Sequence, residues 1–432
     1  MDLKRRIAAD LAEAHARTDA LLAPVDDARL RVQHDPIMSP LVWDYGHVAV
    51  YQELWLVQQL SGAPPVDEAR MHHYDAFENP RRVRAALPLL SRGEVARYRD
   101  AVDERSLTLL DEIDLDAGGE SPLLRDGFVY DMIVQHEHQH CETMLQTLQL
   151  IGGGYGISLP PLPEPPPGRA VALDSVRIPA GTYPIGSDEH APYDNEHPQA
   201  WVELDAYSID RFPVTCGQYA AFVDDGGYRR AELWSREGWA WRSDAGVEAP
   251  KHWEREGGAW WTSRFGERVP VDMRTPVMHV CWHEAQAYCR WAGRRLPTEQ
   301  EWEVAATWDP AAQRKRRHPW GDEPPTERHA NLDQRLFGAA PAGAYPLGAS
   351  AVGCEQMAGD VWEWTASHFQ PYPGFRAFPY REYSEVFFGS EYRVLRGASW
   401  AARASVARAT FRNWDYPIRR QVFAGLRCAY DR

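Results

Sequence analysis

Cysteine is scarce. The six residues, Cys141, Cys216, Cys281, Cys289, Cys354 and Cys428, form no CxxC pair and no dense framework in 432 residues. A disulfide scaffold is therefore excluded, and the usage is that of reduced thiols in the cytosol. Long apolar runs are absent too: none approaches the roughly 20 residues that cross a bilayer. The opening MDLKRRIAADLAEAHART lacks the apolar centre of a signal peptide. Positive charge is in deficit. A formal net charge of −15 repels a nucleic-acid duplex or an anionic membrane, although local Arg clusters can still hold a small acidic ligand. A cytoplasmic protein with small-molecule substrates, and with neither nucleic acid nor membrane as partner, is the expectation. Apolar material is ample at 44% hydrophobic and 12% aromatic, with 18 Trp, 33 Pro and 32 Gly. The length exceeds what one core usually fills, so two or three domains are expected.

No repeat is visible, and the one low-complexity tract is LPPLPEPPPG at residues 159–168. Proline removes backbone donors and favours extended chain, so this reads as a stiff linker. Before it, residues 2–22, 41–61, 93–115 and 124–151 carry apolar positions at three-to-four spacing, which predicts an antiparallel four-helix bundle. After it, short β-like runs at Ser175–Ile178 and 200–209 alternate with Gly/Pro turns. Helices are expected over Cys216–Asp224, over 283–292 and over 298–306, the last opened by a capping box of Thr298 with Glu301. Residues 1–158, 159–170 and 171–432 are thus expected as bundle, linker and irregular α+β domain.

The strongest chemical signal is QHEHQHCE at 135–142 on a predicted helix. His136 and His140, four residues apart, project from one face and can share a metal, whereas His138 lies about 200° from His136. A solvated polar face is the plain alternative. A third ligand is expected from another helix, and His47 in WDYGHVAVYQELW is the best candidate, against the role of a satisfied core histidine. Three imidazoles without a thiolate cluster suit Fe(II), Zn(II), Ni(II) or Cu(II), and spacing does not choose among them. Three protein ligands leave open positions, as catalytic sites do.

SPLVWDYGH, the HEHQH helix, FPYREYSEVFF and FRNWDYPIRRQ together resemble the bacterial sulfoxide synthases of ergothioneine biosynthesis. RIPAGTYPIGSD, DRFPVTCGQYAAFV, RRLPTEQEWEVAA, HPWGDEPP, GDVWEWTAS and RGASW carry the marks of the domain shared with formylglycine-generating enzymes. The resemblance covers essentially the whole chain. It implies a DinB-like bundle followed by a C-type-lectin-like domain, and iron(II) held by His47, His136 and His140, with O2 as co-substrate. Gln139, Tyr383, Asn413 and Trp414 would hold hercynine (Nα-trimethylhistidine), where an indole face suits a quaternary ammonium. Tyr380 would be the catalytic tyrosine, delivering a proton so that a C–S bond forms instead of a sulfinic acid. Arg81 and Arg84 would clamp the carboxylates of γ-glutamylcysteine, since arginine forks bind carboxylates bidentately, and Asp415 would take its ammonium.

The chain departs from the family pattern at Cys141, usually acidic, at WDYGH for WDLAH, and at RGASW for RGGSW. Donor choice therefore extends to free cysteine or, as in the related selenoneine synthases, a selenosugar. Ala402 and Ala407 stand where formylglycine-generating enzymes place copper-binding cysteines, which excludes that chemistry. A DinB-type metal-dependent thiol transferase would keep the histidines without needing Tyr380. A lectin-like binding module would leave them unexplained. Asn331, the Leu332 carbonyl and Asp360 are matched to a structural calcium site of the formylglycine-generating domain.

Overall fold

The computed structural model describes residues 2–115, 121–152, 162–169, 174–189 and 193–431. The chain divides into two compact units, Met1–Ser158 with Arg264–Glu267, and Leu159–Ser263 with Arg268–Arg432. Residues 162–169 adopt neither helix nor strand; residues 159–161 and 170 of the expected linker lie outside the described residues.

The first unit is built on α1 (Leu3–Leu22), α2 (Leu41–Gln52), α3 (Arg92–Glu112) and α4 (Phe128–Ile151). Helix α1 packs on α4, and α2 packs on both α3 and α4. Every residue of α2 is buried, which places it inside the bundle rather than on its surface. Beyond Gln52 the helix loosens into π-type turns over Glu53–Leu60, so the expected helix 41–61 is not uniformly α. Ser91 and Glu94 form a capping box that fixes the start of α3.

The second unit mixes sheet and helix. Strand β1 (Ser175–Ile178) pairs with β4 (Tyr207–Asp210), while β2 (Gly181–Ile185) pairs with β3 (Ala200–Leu204). The run 200–209, expected as one strand, is thus two strands in two sheets, and its burial changes at the corner from half-exposed to fully buried. Helices α5 (Cys216–Asp224), α7 (Trp282–Trp291) and α8 (Glu299–Thr307) fall where apolar spacing predicts them, and the Thr298–Glu301 capping box is formed. Helix α6 (Arg236–Asp244) went unforeseen because only Gly238 is buried, so no apolar stripe marks it. Strands β5 (Trp253–Glu256), β6 (Ala259–Arg264) and β7 (Glu267–Pro270) form a meander. Strands β8 (Trp362–His368), β9 (Arg393–Arg396), β10 (Asn413–Asp415) and β11 (Ala424–Gly425) form a sheet ordered β10-β9-β8-β11.

Buried Arg–carboxylate pairs lock this sheet to its surroundings. Arg396 meets Glu303, Arg427 meets Glu363, and Arg412 meets Glu299 with both partners almost fully buried. Removing one partner would strand a buried charge at a cost of about 3–5 kcal/mol. Arg412 also donates to the Asn195 and Gln370 carbonyls at 2.8 Å each, which fixes the strand that carries Asn413, Trp414 and Asp415. Among the described residues no helix is long and apolar enough to cross a membrane.

Candidate functional site

His136 and His140 stand one turn apart on α4, and His47 faces them from α2, so that one ligand atom from each lies within 4.8 Å of the others. No other group of three or more His, Cys, Asp or Glu side chains among the described residues could hold an ion. The ring centroids are 4.6 to 5.1 Å apart. His47 Nδ1 lies 2.7 Å from the Tyr74 carbonyl. A carbonyl only accepts, so Nδ1 carries the proton and Nε2 the free lone pair. His140 Nδ1 lies 3.1 Å from the Asp44 carboxylate, the usual outer partner of a ligating imidazole. Burial pushes the pKa of His47 and His136 far down, each helped by the neighbouring rings, so both stay neutral with lone pairs available. His136 is steadied by Tyr51, stacked on it at 3.8 Å. Neutral nitrogen donors with backed-up tautomers fit a divalent transition metal.

The neighbours of the pair face elsewhere, as helical geometry requires. His138 is buried near Glu13 of α1 at 3.8 Å. Cys141, the departure from the family pattern, is buried with its sulfur 3.3 Å from the Thr18 hydroxyl, and burial raises its pKa to about 12. It is a neutral packing thiol on the α1 side of α4, outside the histidine group. Gln139 is half-buried, its amide 3.3 Å from the Gln135 carbonyl.

The expected donor clamp is divided. Arg81 is exposed, whereas Arg84 is buried, donating to Ser39 Oγ at 2.7 Å and to the Asn79 carbonyl at 2.8 Å. Of the expected pair, Arg84 is thus engaged by groups of the protein, while Arg81 lies at the surface.

In the second unit, Tyr380 caps a short 3-10 turn, Arg381–Tyr383, that Tyr383 ends, and their rings meet at 5.5 Å. The Tyr383 hydroxyl is buried without a hydrogen-bond partner among the described residues, and its ring edge-packs on Tyr193 at 4.8 Å. The loop is tethered through Ser384, which donates to Asp194 and accepts from Asn195 at 2.9 Å, while the Phe378 N–H reaches Asp194 at 3.2 Å. Sequence reasoning missed Asp194, whose partners are nearly 190 residues away. Burial outweighs its hydrogen bonds and lifts its pKa to about 6.

On β10, Asn413 and Asp415 share a face and Trp414 takes the other. Trp414 stacks on Phe369 at 4.1 Å, which covers one side of its indole. Asn413 Oδ1 accepts from the Trp414 N–H at 2.9 Å, and Asp415 lies 3.4 Å from the buried Arg419. The carboxylate expected to take an ammonium thus already has a cation beside it. Asn331 and Asp360 do meet, at 2.8 Å. The Ala340 N–H and the Gln356 amide also donate to this carboxylate, at 2.7 Å each, which gives the proposed calcium no support: the oxygens are bound by amides instead of facing a cation.

Residues 163–432 match the sulfatase-modifying factor enzyme 1-like domain, and residues 10–144 match the DinB superfamily. Along 99% of its length the chain is 47% identical to the hercynine oxygenase of Mycolicibacterium thermoresistibile, covering 95% of that protein. It is likewise 47% identical to the hercynine oxygenase of Mycobacterium tuberculosis, with 100% of both chains covered. PvdO from Pseudomonas aeruginosa aligns with 59% of this chain and 93% of its own at 23% identity and a TM-score of 0.41. Both parts of the chain, in their order and over their full extent, are those of the hercynine oxygenases, and the chain belongs to that family.

Proposed function

We propose that this protein is an iron(II)- and O2-dependent sulfoxide synthase that joins imidazole C2 of hercynine to the thiol of γ-glutamylcysteine. The observation that carries the reading is the trio of converging imidazoles on a chain alike throughout its length to hercynine oxygenases. The reaction balances as imidazole C–H plus thiol plus O2 giving the C–S(=O) product and water. A ferrous ion held by His47, His136 and His140 would supply O2 activation and bind the thiol as thiolate.

The chain's own residues do the rest. The Tyr74 carbonyl and the Asp44 carboxylate keep the ligating rings in their tautomers. Tyr380 Oη would hand a proton to the oxygen that leaves as water, which disfavours placing both oxygens on sulfur. Gln139, Tyr383 and Asn413 would hold hercynine, with the Trp414 indole against its trimethylammonium group. Arg81 and Arg84 would take the donor's carboxylates and Asp415 its ammonium.

The test is mass spectrometry of an aerobic reaction of Fe(II)-loaded protein with hercynine and γ-glutamylcysteine, with cysteine and a selenosugar in parallel tubes. A sulfoxide conjugate from γ-glutamylcysteine is expected. Product from cysteine or the selenosugar alone would keep the chemistry and reassign Arg81 and Asp415. Absence of an O2-dependent product from every donor would favour a DinB-type metal-dependent thiol transferase.

A further inference from the structure

All six cysteines are free thiols, yet two of them, 139 residues apart in sequence, lie side by side. The sulfur of Cys289, on α7, is 3.5 Å from that of Cys428, which precedes the C-terminal strand β12 (Ala429–Tyr430). Cys141 and Cys216 face the hydroxyls of Thr18 and Thr275 instead. The backbones that carry the pair are fixed against each other. Strand β12 pairs antiparallel with β4, and the Cys428 carbonyl accepts from the Asp210 N–H at 2.9 Å. Arg295, just beyond α7, exchanges both backbone hydrogen bonds with Ala429, at 2.9 and 2.8 Å. A disulfide holds its sulfurs about 2.05 Å apart, so closing this one asks roughly 1.5 Å of the side chains.

A thiol buried in a core is inert as a rule, because no reagent reaches it. Cys289 differs. It lines a cavity of about 750 Å³ together with Arg290, Arg294, Glu203, Asp205 and Gln286. That volume lies in the range that takes small molecules. Arg290, Glu203 and Asp205 are exposed, and none of them has an ion-pair partner among the described residues. Open groups of both signs suit a zwitterion, such as the disulfide of cysteine or of a cysteine peptide. Cys428 stands behind Cys289, and the hydrogen bond to that neighbour, with burial, holds its pKa well above that of an ordinary thiol. Cys289 is therefore the sulfur that attacks first, and Cys428 the one that resolves.

We propose that Cys289 and Cys428 form a reversible thiol–disulfide exchange site, which takes small disulfides from this cavity and on oxidation staples β12 to α7. The Cys289 thiolate attacks the incoming disulfide, breaking its S–S bond and releasing one small thiolate, which picks up the proton that Cys289 lost. Cys428 then gives its proton to the second small thiol as it displaces it, and the Cys289–Cys428 bond forms. Two protein thiols are oxidised, one small disulfide is reduced to two thiols, and excess small thiol drives the reverse. The staple closes a long loop, which removes freedom from the unfolded chain. It also pins the segment that carries Arg427, the buried partner of Glu363 on β8. Neither sulfur belongs to the histidine group, so the site stands whatever that group binds.

Full-length protein, reduced and then freed of reductant, is incubated with glutathione disulfide, denatured, alkylated with iodoacetamide and weighed intact. Peptide mapping and thermal melts run alongside. Wild type is expected to lose two of its six alkylatable thiols and to yield a Cys289–Cys428 cross-linked peptide. It should melt at least about 5 °C higher, and dithiothreitol should reverse both changes. Cys428→Ser should stop with one glutathionyl group on Cys289, and Cys289→Ser should take up none. Six alkylated cysteines after exposure, or a cross-link between other positions, would overturn the site. A cross-link that leaves the melting temperature unchanged would overturn the staple. A glutathionyl group on Cys428 in Cys289→Ser would overturn the order of attack. Should a serine variant not fold, the wild-type cross-link map still decides.

Discussion

In the helical unit the proposed metal ligands sit on regular α-helix, two of them one turn apart, and each of His47 and His140 has a fixed partner on its second nitrogen. In the second unit Tyr380 and Tyr383 lie around a three-residue 3-10 turn, held by Ser384 through Asp194 and Asn195. The first arrangement depends on helix periodicity, the second on a handful of tertiary hydrogen bonds. Damage to the first should therefore be all-or-none for the metal, while damage to the second should be graded and should alter what is made.

The largest effect is expected from His136→Ala, which removes a ligand from the helical set. Metal content by elemental analysis should fall to background and turnover by at least about 100-fold; metal retained at wild-type stoichiometry would take His136 out of the set. Next comes Tyr380→Phe, which keeps the ring and the packing on Tyr383 at 5.5 Å but deletes the proton. Metal content should not change, and product analysis should find the thiol diverted to sulfinic acid, with sulfoxide yield down about 10-fold or more. Unchanged sulfoxide yield would end the catalytic role. Asp194→Ala should act in the same direction more weakly, because it frees Ser384 and the Phe378 N–H without touching the phenol. A sulfoxide-to-sulfinate ratio between wild type and Tyr380→Phe is expected; an unaltered ratio would mean that the loop holds its place without the tether.

The same contrast explains what could be read from sequence. His136 and His140 were legible because a four-residue interval on an apolar-striped helix has one spatial meaning. Four helices of the bundle, and α5, α7 and α8, were legible by the same periodicity and by the Thr298–Glu301 capping box. Helix α6 was not, since it buries one glycine and shows only its Ser235 cap. The split of 200–209 into two strands was hidden because each half alone has strand character, and only pairing with β1 or β2 separates them. The burial of Arg84 against Ser39 comes from long-range packing that residue type does not announce, and the contacts of Arg419 with Asp415 and of Gln356 with Asp360 join residues four apart outside any helix, where spacing does not set direction.

The smallest expected effect lies on the other side of α4, where regular helices hold a polar network with no proposed chemistry. His15 of α1 meets Glu137 at 2.7 Å and Asp103 at 3.0 Å, and Gln52 donates to the same Asp103 at 2.8 Å. Burial alone would lower the His15 pKa, but the two carboxylates outweigh it and raise the value from 6.5 to about 10. The folded protein thus holds a proton that the unfolded chain releases, so this stabilisation is complete below pH 6.5 and is lost as pH rises through about 10. Thermal melts of wild type should fall between pH 7 and 10 by a few degrees more than those of His15→Gln, which lacks the titrating ring. If both fall in parallel, His15 is neutral in the fold. Metal binding and product ratio should stay at wild-type values in His15→Gln, because its partners point away from His136 and His140. A change in either would mean that Glu137, next to His136 on α4, passes strain from the network to the ligand, and that the helical unit is less rigid than its regular spacing implies.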